Sequence, residues 1–280
     1  MTETRPDPVD ERLPRLRAAL RDADELLVCL DFDGTLAPIV ADPDDAATTP
    51  ATGAALRTLD ATPDVTTAVV TGRSLADVRW RVDPPDVYAG NHGLELAREA
   101  AGSVAVHPVA RKRASRVEKV CAALGLALDP IPGCRVENKR LTGTVHLRSV
   151  PRAARPAARR LTRRVLDRLD DDSLSLSAGK AILEVRPDVP WGKGDAVDLL
   201  ASSHPGDPLV AYVGDDVTDE SAFRAVEPEG IGVHVGDGPS VASCRVDSPA
   251  AVASLLHWIA SVFAADEPVG EGAVVPASLR

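Results

Sequence analysis

The chain has 280 residues, 44% of them hydrophobic, and a formal net charge of −10. That length can bury one large core, or a core plus a smaller inserted domain, and the acidic balance argues against a nucleic-acid partner, which would require a basic face to neutralise phosphates. Its apolar runs, such as Leu26 to Leu30 and Thr66 to Val70, fall far short of the roughly 20 residues of a spanning helix, so no membrane passage is expected. Four scattered cysteines with no close pair (Cys29, Cys121, Cys134, Cys244) argue against a disulfide framework and against structural zinc. The stretch from Met1 to Arg12 is polar and acidic and lacks the pattern of a secretory signal, so the expected location is cytoplasmic.

In chain order, strand-length apolar runs end in Gly- or Asp-containing turns and are followed by helical patterns, the signature of a parallel sheet with crossover helices. Strands are predicted over Leu26 to Leu30, Thr66 to Val70, Val87 to Ala89, Leu209 to Val213 and Gly230 to Val235. Helices are predicted near Pro50 to Leu59, Ser74 to Trp80, Lys193 to Leu200, Asp219 to Ala225 and Ala250 to Ala260. The middle is different. From Pro108 to Arg186, 18 Lys and Arg stand against 8 Asp and Glu, and the order is helix (Arg111 to Leu124), strands (Arg135 to Glu137, Thr142 to Arg148), helix (Arg155 to Leu169), strands (Ser173 to Ser177, Ala181 to Arg186). Such an order suits a small antiparallel sheet with two helices on one face. The fold class is therefore α/β, with core segments 1–107 and 188–280 and an inserted α+β domain at 108–187.

Four motifs carry chemistry. Asp31-Phe32-Asp33-Gly34-Thr35 follows the apolar run Leu26 to Leu30, so two carboxylates at i, i+2 stand at the carboxyl edge of a strand, where ligands of open α/β sheets bind. Gly34 permits a sharp turn that aims backbone N–H groups at an anion. Taken alone, the motif also fits a calcium-type loop or an acidic turn. Val69-Val70-Thr71-Gly72-Arg73 again ends a strand in a hydroxyl, a glycine and a cation; Thr71 can hydrogen-bond a phosphoryl oxygen or act only as a helix N-cap. Trp191-Gly192-Lys193-Gly194 puts a lysine at a helix N-terminus, against the dipole, a misfit expected where function overrides local preference. Gly214-Asp215-Asp216-Val217-Thr218-Asp219-Glu220 crowds four carboxylates into six positions, which calls for a hard divalent cation with oxygen ligands, Mg²⁺ before others.

Together these motifs resemble, in order and strand context, those of phosphatases of the haloacid dehalogenase (HAD) superfamily. The resemblance implies a Rossmann-like parallel-sheet HAD core with an inserted cap. It also implies that Asp31 attacks phosphorus to give an aspartyl-phosphate and that Asp33 is the acid and then the base. Thr71 and Lys193, with Gly34 and Arg73, would hold the phosphoryl group. Mg²⁺ would be bound by Asp31, the Asp33 backbone carbonyl and Asp215, with Asp216 or Asp219 behind. Further stretches resemble the trehalose-6-phosphate phosphatase family: Gly90-Asn91-His92-Gly93-Leu94-Glu95, Val136-Glu137-Asn138-Lys139 followed by His146 and Arg148, Gly179-Lys180, and Glu184-Val185-Arg186-Pro187. That likeness implies Glu137, Lys139, Lys180 and Glu184 as sugar-binding residues, with Asn91 and His92 lining the site. Carboxylates that accept and lysines that donate suit a polyhydroxylated sugar. Glu137, Lys139, Lys180 and Glu184 each also fit the solvent face of a half-buried sheet, and His146 also fits a structural role.

The expected activity is Mg²⁺-dependent hydrolysis of trehalose 6-phosphate, in trehalose biosynthesis. Two alternatives remain: a phosphatase for sucrose 6-phosphate or mannosyl-3-phosphoglycerate, or a non-catalytic sugar-phosphate sensor. The partner is a small-molecule sugar phosphate; a trehalose-6-phosphate synthase is a further possible partner.

Overall fold

The computed structural model of the chain describes residues 4–83, 85–169, 172–179 and 181–264. These form two compact units, one comprising the residues up to Val104 together with those from Trp191 onward, the other Ala105–Pro190.

In chain order the first unit begins with β1 (Asp7–Pro8), α1 (Val9–Asp22), β2 (Leu26–Leu30), α2 (Pro50–Asp60), β3 (Val65–Val70), α3 (Leu75–Arg81), β4 (Val87–Gly90), β5 (Glu95–Arg98) and β6 (Ser103–Val106). The inserted unit contains α4 (Pro108–Leu128), β7 (Arg135–Asn138), β8 (Gly143–His146), α5 (Arg155–Leu169), β9 (Leu174–Gly179) and β10 (Ile182–Pro187). The chain then returns through α6 (Lys193–Ser202), β11 (Leu209–Gly214), α7 (Glu220–Val226), β12 (Ile231–Val235), β13 (Cys244–Val246) and α8 (Pro249–Phe263).

Among the described residues the first unit has a sheet ordered β1-β13-β12-β11-β2-β3-β4-β5-β6. It is parallel from β1 through β4, and β5 pairs antiparallel with β4. Strand β2 lies near the centre and every residue of it is buried, which explains its unbroken apolar run: a strand covered on both faces has no polar side to alternate with. Its side chains divide by parity. Leu26, Val28 and Leu30 join the core under α1, α2 and α8, whereas Leu27 and Cys29 join the core with Ala196, Val197 and Leu200 of α6 and Phe223 of α7. Each such leucine or valine stabilises the fold by about 1.5–3 kcal/mol relative to exposure. Shifting the register of β2 by one residue would exchange the two faces and carry Asp31 to the wrong side.

The inserted unit has the antiparallel order β7-β8-β10-β9. Val145, Leu183 and Val185 point to one face and pack with Val117, Val120, Cys121 and Leu124 of α4 and Ala158 and Leu166 of α5. Alternation then puts Glu137, Thr144 and Glu184, paired across three strands, on the opposite face.

Helix α1, strands β5 and β6, and strand β13 lie outside the predicted elements. Helix α1 buries Val9, Leu13, Leu16 and Leu20 at helical spacing, a stripe masked in the sequence by Pro14 and the flanking charges. The three residues of β13 are too few to show a period.

Candidate active site

Asp31 immediately follows β2 and continues the parity of Leu27 and Cys29; its backbone N–H donates to the Val213 carbonyl of β11 at 2.9 Å. The carboxylate is 5% exposed and meets the Lys193 ammonium at 2.9 Å. Burial pushes its pKa well above the ordinary value and the nearby Asp219 and Asp215 carboxylates push the same way, opposed by Lys193.

Lys193 is the first residue of α6. The Asp195 side chain accepts from the Gly192 N–H at 2.8 Å, completing the turn that a lysine at this position would otherwise disfavour. Its ammonium lies 2.9 Å from Asp31 and 2.7 Å from Asp219 Oδ1. Burial works to lower the lysine pKa, and the two carboxylates outweigh it, so the net direction is up and the group stays charged. An ammonium has three donors, so one remains beyond these two pairs for an incoming anion.

Gly34 has φ +85°, and a Cβ there would stand 2.3 Å from the Asp215 carboxylate. The residue is thus required twice, by conformation and by close approach. Thr35, wholly buried, has a hydroxyl with no hydrogen-bond partner among the described residues. Ligand oxygens of Asp31, Asp215 and Asp219 lie within 4.8 Å of one another. Three carboxylates beside one ammonium leave negative charge that either a proton on Asp31 or a further cation relieves, and an all-oxygen donor set fits a hard divalent cation.

Asp219 is fully buried, and its two oxygens serve different groups: Oδ1 accepts from Lys193 and from the Tyr212 hydroxyl at 2.6 Å, and Oδ2 accepts from the Asp216 N–H at 2.8 Å. Asp216 is held through that backbone contact.

Asp33 faces Arg73. Nε of Arg73 donates to Oδ2 at 2.7 Å and Nη2 to Oδ1 at 2.8 Å. The same guanidinium also donates to Asp77 Oδ2 at 2.6 Å and to the Pro43 carbonyl at 2.8 Å, and it lies 5.0 Å from the Phe32 ring centroid. Four of its five N–H groups are therefore taken, and in this structure Arg73 holds Asp33. Thr71 is buried, and its Oγ1 accepts from the Arg73 N–H at 3.2 Å, a turn contact of the capping type.

Asn91 and His92 take positive φ, 49° and 58°, without being glycine. Such strain persists only where the surroundings impose it. Asn91 Nδ2 donates to Glu95 Oε1, which also accepts from the Leu75 N–H, both at 2.7 Å. The Asn91 amide thus braces this loop against α3. The His92 N–H donates to the Thr71 carbonyl at 2.8 Å, and its ring covers Gly72, where a Cβ would approach it to 2.8 Å.

In the inserted unit Glu137 meets His146 Nε2 at 2.8 Å, and Lys139 lies 3.9 Å from Glu184. Burial would raise the Glu137 pKa, but the His146 hydrogen bond and the charges of Lys139, His146 and Arg135 bring it down to about 2. Lys180 lies outside the described residues.

Three participants were absent from the sequence-based candidates: Tyr212, Asp77 and Glu95. Asp77 stands four residues after Arg73, a spacing that brings side chains together on a helix. The tyrosine in an otherwise aliphatic central strand, Leu209-Val210-Ala211-Tyr212-Val213, was a second legible signal.

A parallel sheet with helices on both faces, an Asp-x-Asp turn after its central strand, and a lysine and acidic loop converging on the first aspartate define the HAD phosphatase fold. A phosphatase of the haloalkanoate (HAD) superfamily from Bacteroides thetaiotaomicron superposes with a TM-score of 0.54 at 17% identity, over 86% of this chain and 96% of that one, a likeness of fold. The C-terminal domain of trehalose-6-phosphate phosphatase from C. albicans superposes with a TM-score of 0.77 at 23% identity, over 93% of this chain and 99% of that one, a likeness of fold. Residues 29–253 match the family model described as trehalose-phosphatase, and the chain belongs to that family. The trehalose-phosphate phosphatase of Mycobacterium marinum is 38% identical over 244 residues, 84% of this chain; the chain spans 61% of that relative's length.

Proposed function

We propose that the protein is a phosphoric monoester hydrolase that converts trehalose 6-phosphate to trehalose and phosphate. The observation that carries this is the Asp31–Lys193–Asp219 cluster: a buried carboxylate after the central strand, oriented by a buried ammonium with a donor to spare. In the first half-reaction an Asp31 oxygen forms a bond to phosphorus while the bond from phosphorus to the sugar oxygen breaks, and protonated Asp33 gives its proton to that oxygen. In the second, Asp33 takes a proton from water as the water oxygen attacks phosphorus, and the bond to Asp31 breaks, releasing phosphate. The spare Lys193 donor and Thr71 hold phosphoryl oxygens through both steps.

Mg²⁺ fits the oxygen cluster, with Asp31, Asp215 and the backbone carbonyl of Asp33 as its protein ligands. Held by these groups, the cation would supply positive charge to offset that of the phosphoryl oxygens. The inserted segment 108–187 acts as the cap, and Glu137, Lys139, Lys180 and Glu184 read the sugar hydroxyls. Support for the substrate comes from the family and from the relatives' names. The reading extends to trehalose biosynthesis in the cytoplasm, where a synthase is the natural source of substrate; all four cysteines are free, as a reducing compartment favours. No helix of the described residues is long and apolar enough to cross a membrane.

The test is phosphate release, with and without Mg²⁺, from trehalose 6-phosphate, sucrose 6-phosphate, glucose 6-phosphate and mannosyl-3-phosphoglycerate, with Asp31→Asn as blank. Preference for trehalose 6-phosphate is expected. Preference for another ester would keep the chemistry and change the cap assignment, whereas no release from any would leave a sugar-phosphate sensor.

A further inference from the structure

Tyr212 sits in the middle of β11, paired in register with Cys29 of β2 and Gly232 of β12, and is fully buried. Its ring stands edge-on to Phe223 of α7 at 5.5 Å between centroids and 82° between planes, which fixes the direction of the hydroxyl. That hydroxyl is 2.6 Å from Asp219 Oδ1, the same oxygen that accepts from Lys193 at 2.7 Å. A carboxylate oxygen offers two acceptor sites in its plane, and on Oδ1 both are filled. On Oδ2 the Asp216 N–H fills another. Asp219 is close enough to Asp31 and Asp215 to join them around a cation, yet its oxygens are directed to Lys193, Tyr212 and the backbone.

We propose that Tyr212 is a positioning residue that decides which carboxylates a metal meets: its hydroxyl holds Asp219 on Lys193 and so keeps Asp219 out of the direct ligand set. This rests on the reading of the oxygen cluster as a metal site. The consequence is chemical. Two direct carboxylates suit Mg²⁺, which keeps several waters, whereas a third favours Ca²⁺, which takes more oxygens and tolerates irregular geometry. With Asp219 withheld, Lys193 also keeps the partner that orients it toward Asp31. A residue that touches neither substrate nor metal would thereby set both metal selectivity and the rate of the chemical step.

The test is calorimetric titration of the metal-free full chain with Ca²⁺ alone and with Mg²⁺ alone, for wild type, Tyr212→Phe and the double variant Tyr212→Phe/Asp219→Asn, alongside turnover with Mg²⁺. In Tyr212→Phe, Ca²⁺ is expected to bind roughly tenfold more tightly while Mg²⁺ changes little, because affinity follows the number of charged ligands. Its kcat is expected to fall about tenfold with KM nearly unchanged, since no sugar contact is altered. In the double variant the gain in Ca²⁺ affinity is expected to vanish. Ca²⁺ affinity within twofold of wild type in Tyr212→Phe would overturn the proposal, as would a gain that persists without Asp219. If circular dichroism shows Tyr212→Phe unfolded, Phe223→Leu carries the test. That variant keeps the hydroxyl but loosens its aim, and it is expected to shift Ca²⁺ affinity in the same direction by a smaller factor; no shift overturns the proposal. Calorimetry needs no substrate, so a wild type that hydrolysed no sugar phosphate would sink the functional reading and leave this test intact.

Discussion

Arg73 grips both carboxylate oxygens of Asp33, Nε to Oδ2 at 2.7 Å and Nη2 to Oδ1 at 2.8 Å, while its third nitrogen is anchored on Asp77. The arginine is 9% exposed and the aspartate 43%, so a buried, braced cation reaches out to a carboxylate at the rim of the site. A guanidinium makes such a two-point grip because its donors are planar and parallel; an ammonium cannot. Arg73→Lys is therefore expected to retain the charge and lose the aim. Hydrogen bonds to charged groups are worth about 1.5–3 kcal/mol, so kcat should fall roughly ten- to a hundredfold with Asp31 still able to react. Steady-state kinetics on the sugar phosphate check this, and a lysine variant with unaltered kcat would remove Arg73 from the positioning of Asp33.

Gly34 and Gly53 are expected to respond to alanine with opposite signs. At Gly34 the positive φ opposes a side chain, and so does the Asp215 carboxylate, 2.3 Å from where the alanine methyl would stand. A residue with Cβ in the left-handed region costs about 1–2 kcal/mol before any displacement of Asp215 is counted. Gly34→Ala should lower the melting temperature and raise the Mg²⁺ concentration needed for half-maximal activity. Gly53 is inside α2, with only the flexible tip of Arg57 at 3.5 Å, and helical alanine is favoured over glycine by about 0.5–1 kcal/mol. Gly53→Ala should raise the melting temperature and leave turnover alone.

Glu137 gives a pH signature. Its carboxyl is held down at about 2, against an ordinary 4.5, so the folded state binds its proton less readily than the unfolded chain does. The stability this contributes is fully present above about pH 4.5 and is lost as the pH falls toward 2. The side chain is 35% exposed, so solvent screening reduces the contribution to about 1 kcal/mol. In urea unfolding, Glu137→Gln should lie below wild type at pH 6, with the gap closing on acidification. A gap independent of pH would mean that packing, not charge, is lost.

Lys139 separates sugar recognition from phosphate chemistry. It is in the inserted unit, 10% exposed and 3.9 Å from Glu184, whereas the Asp31–Lys193 cluster belongs wholly to the other unit. Lys139→Ala should raise KM for trehalose 6-phosphate about tenfold or more and leave a small aryl phosphate within about twofold, matching the loss of one charge-assisted hydrogen bond. Equal effects on both substrates would place Lys139 outside sugar recognition.

The central part of the architecture was legible because it obeys local rules. A strand covered on both faces must be apolar throughout, so Leu26-Leu27-Val28-Cys29-Leu30 announced a buried strand, and the carboxylates directly after it announced the carboxyl edge; its central place came from the strand order. The misfit lysine at the start of α6 and the crowding of Asp215, Asp216 and Asp219 were legible for a related reason: each is locally unfavourable unless something distant compensates. Sequence therefore determined which residues had to meet partners. It could not determine which partners, because that depends on the parity of β2 and β11, the rotation of α6 and α7, and the competition among several carboxylates for few cations. Only the tertiary structure gave Arg73 to Asp33 and Asp77, Asn91 to Glu95, and Tyr212 to Asp219. Chain spacing carries no record of contacts such as Arg73 to Asp33, 40 residues apart, because they form only when separate strands and helices pack around one edge of the sheet.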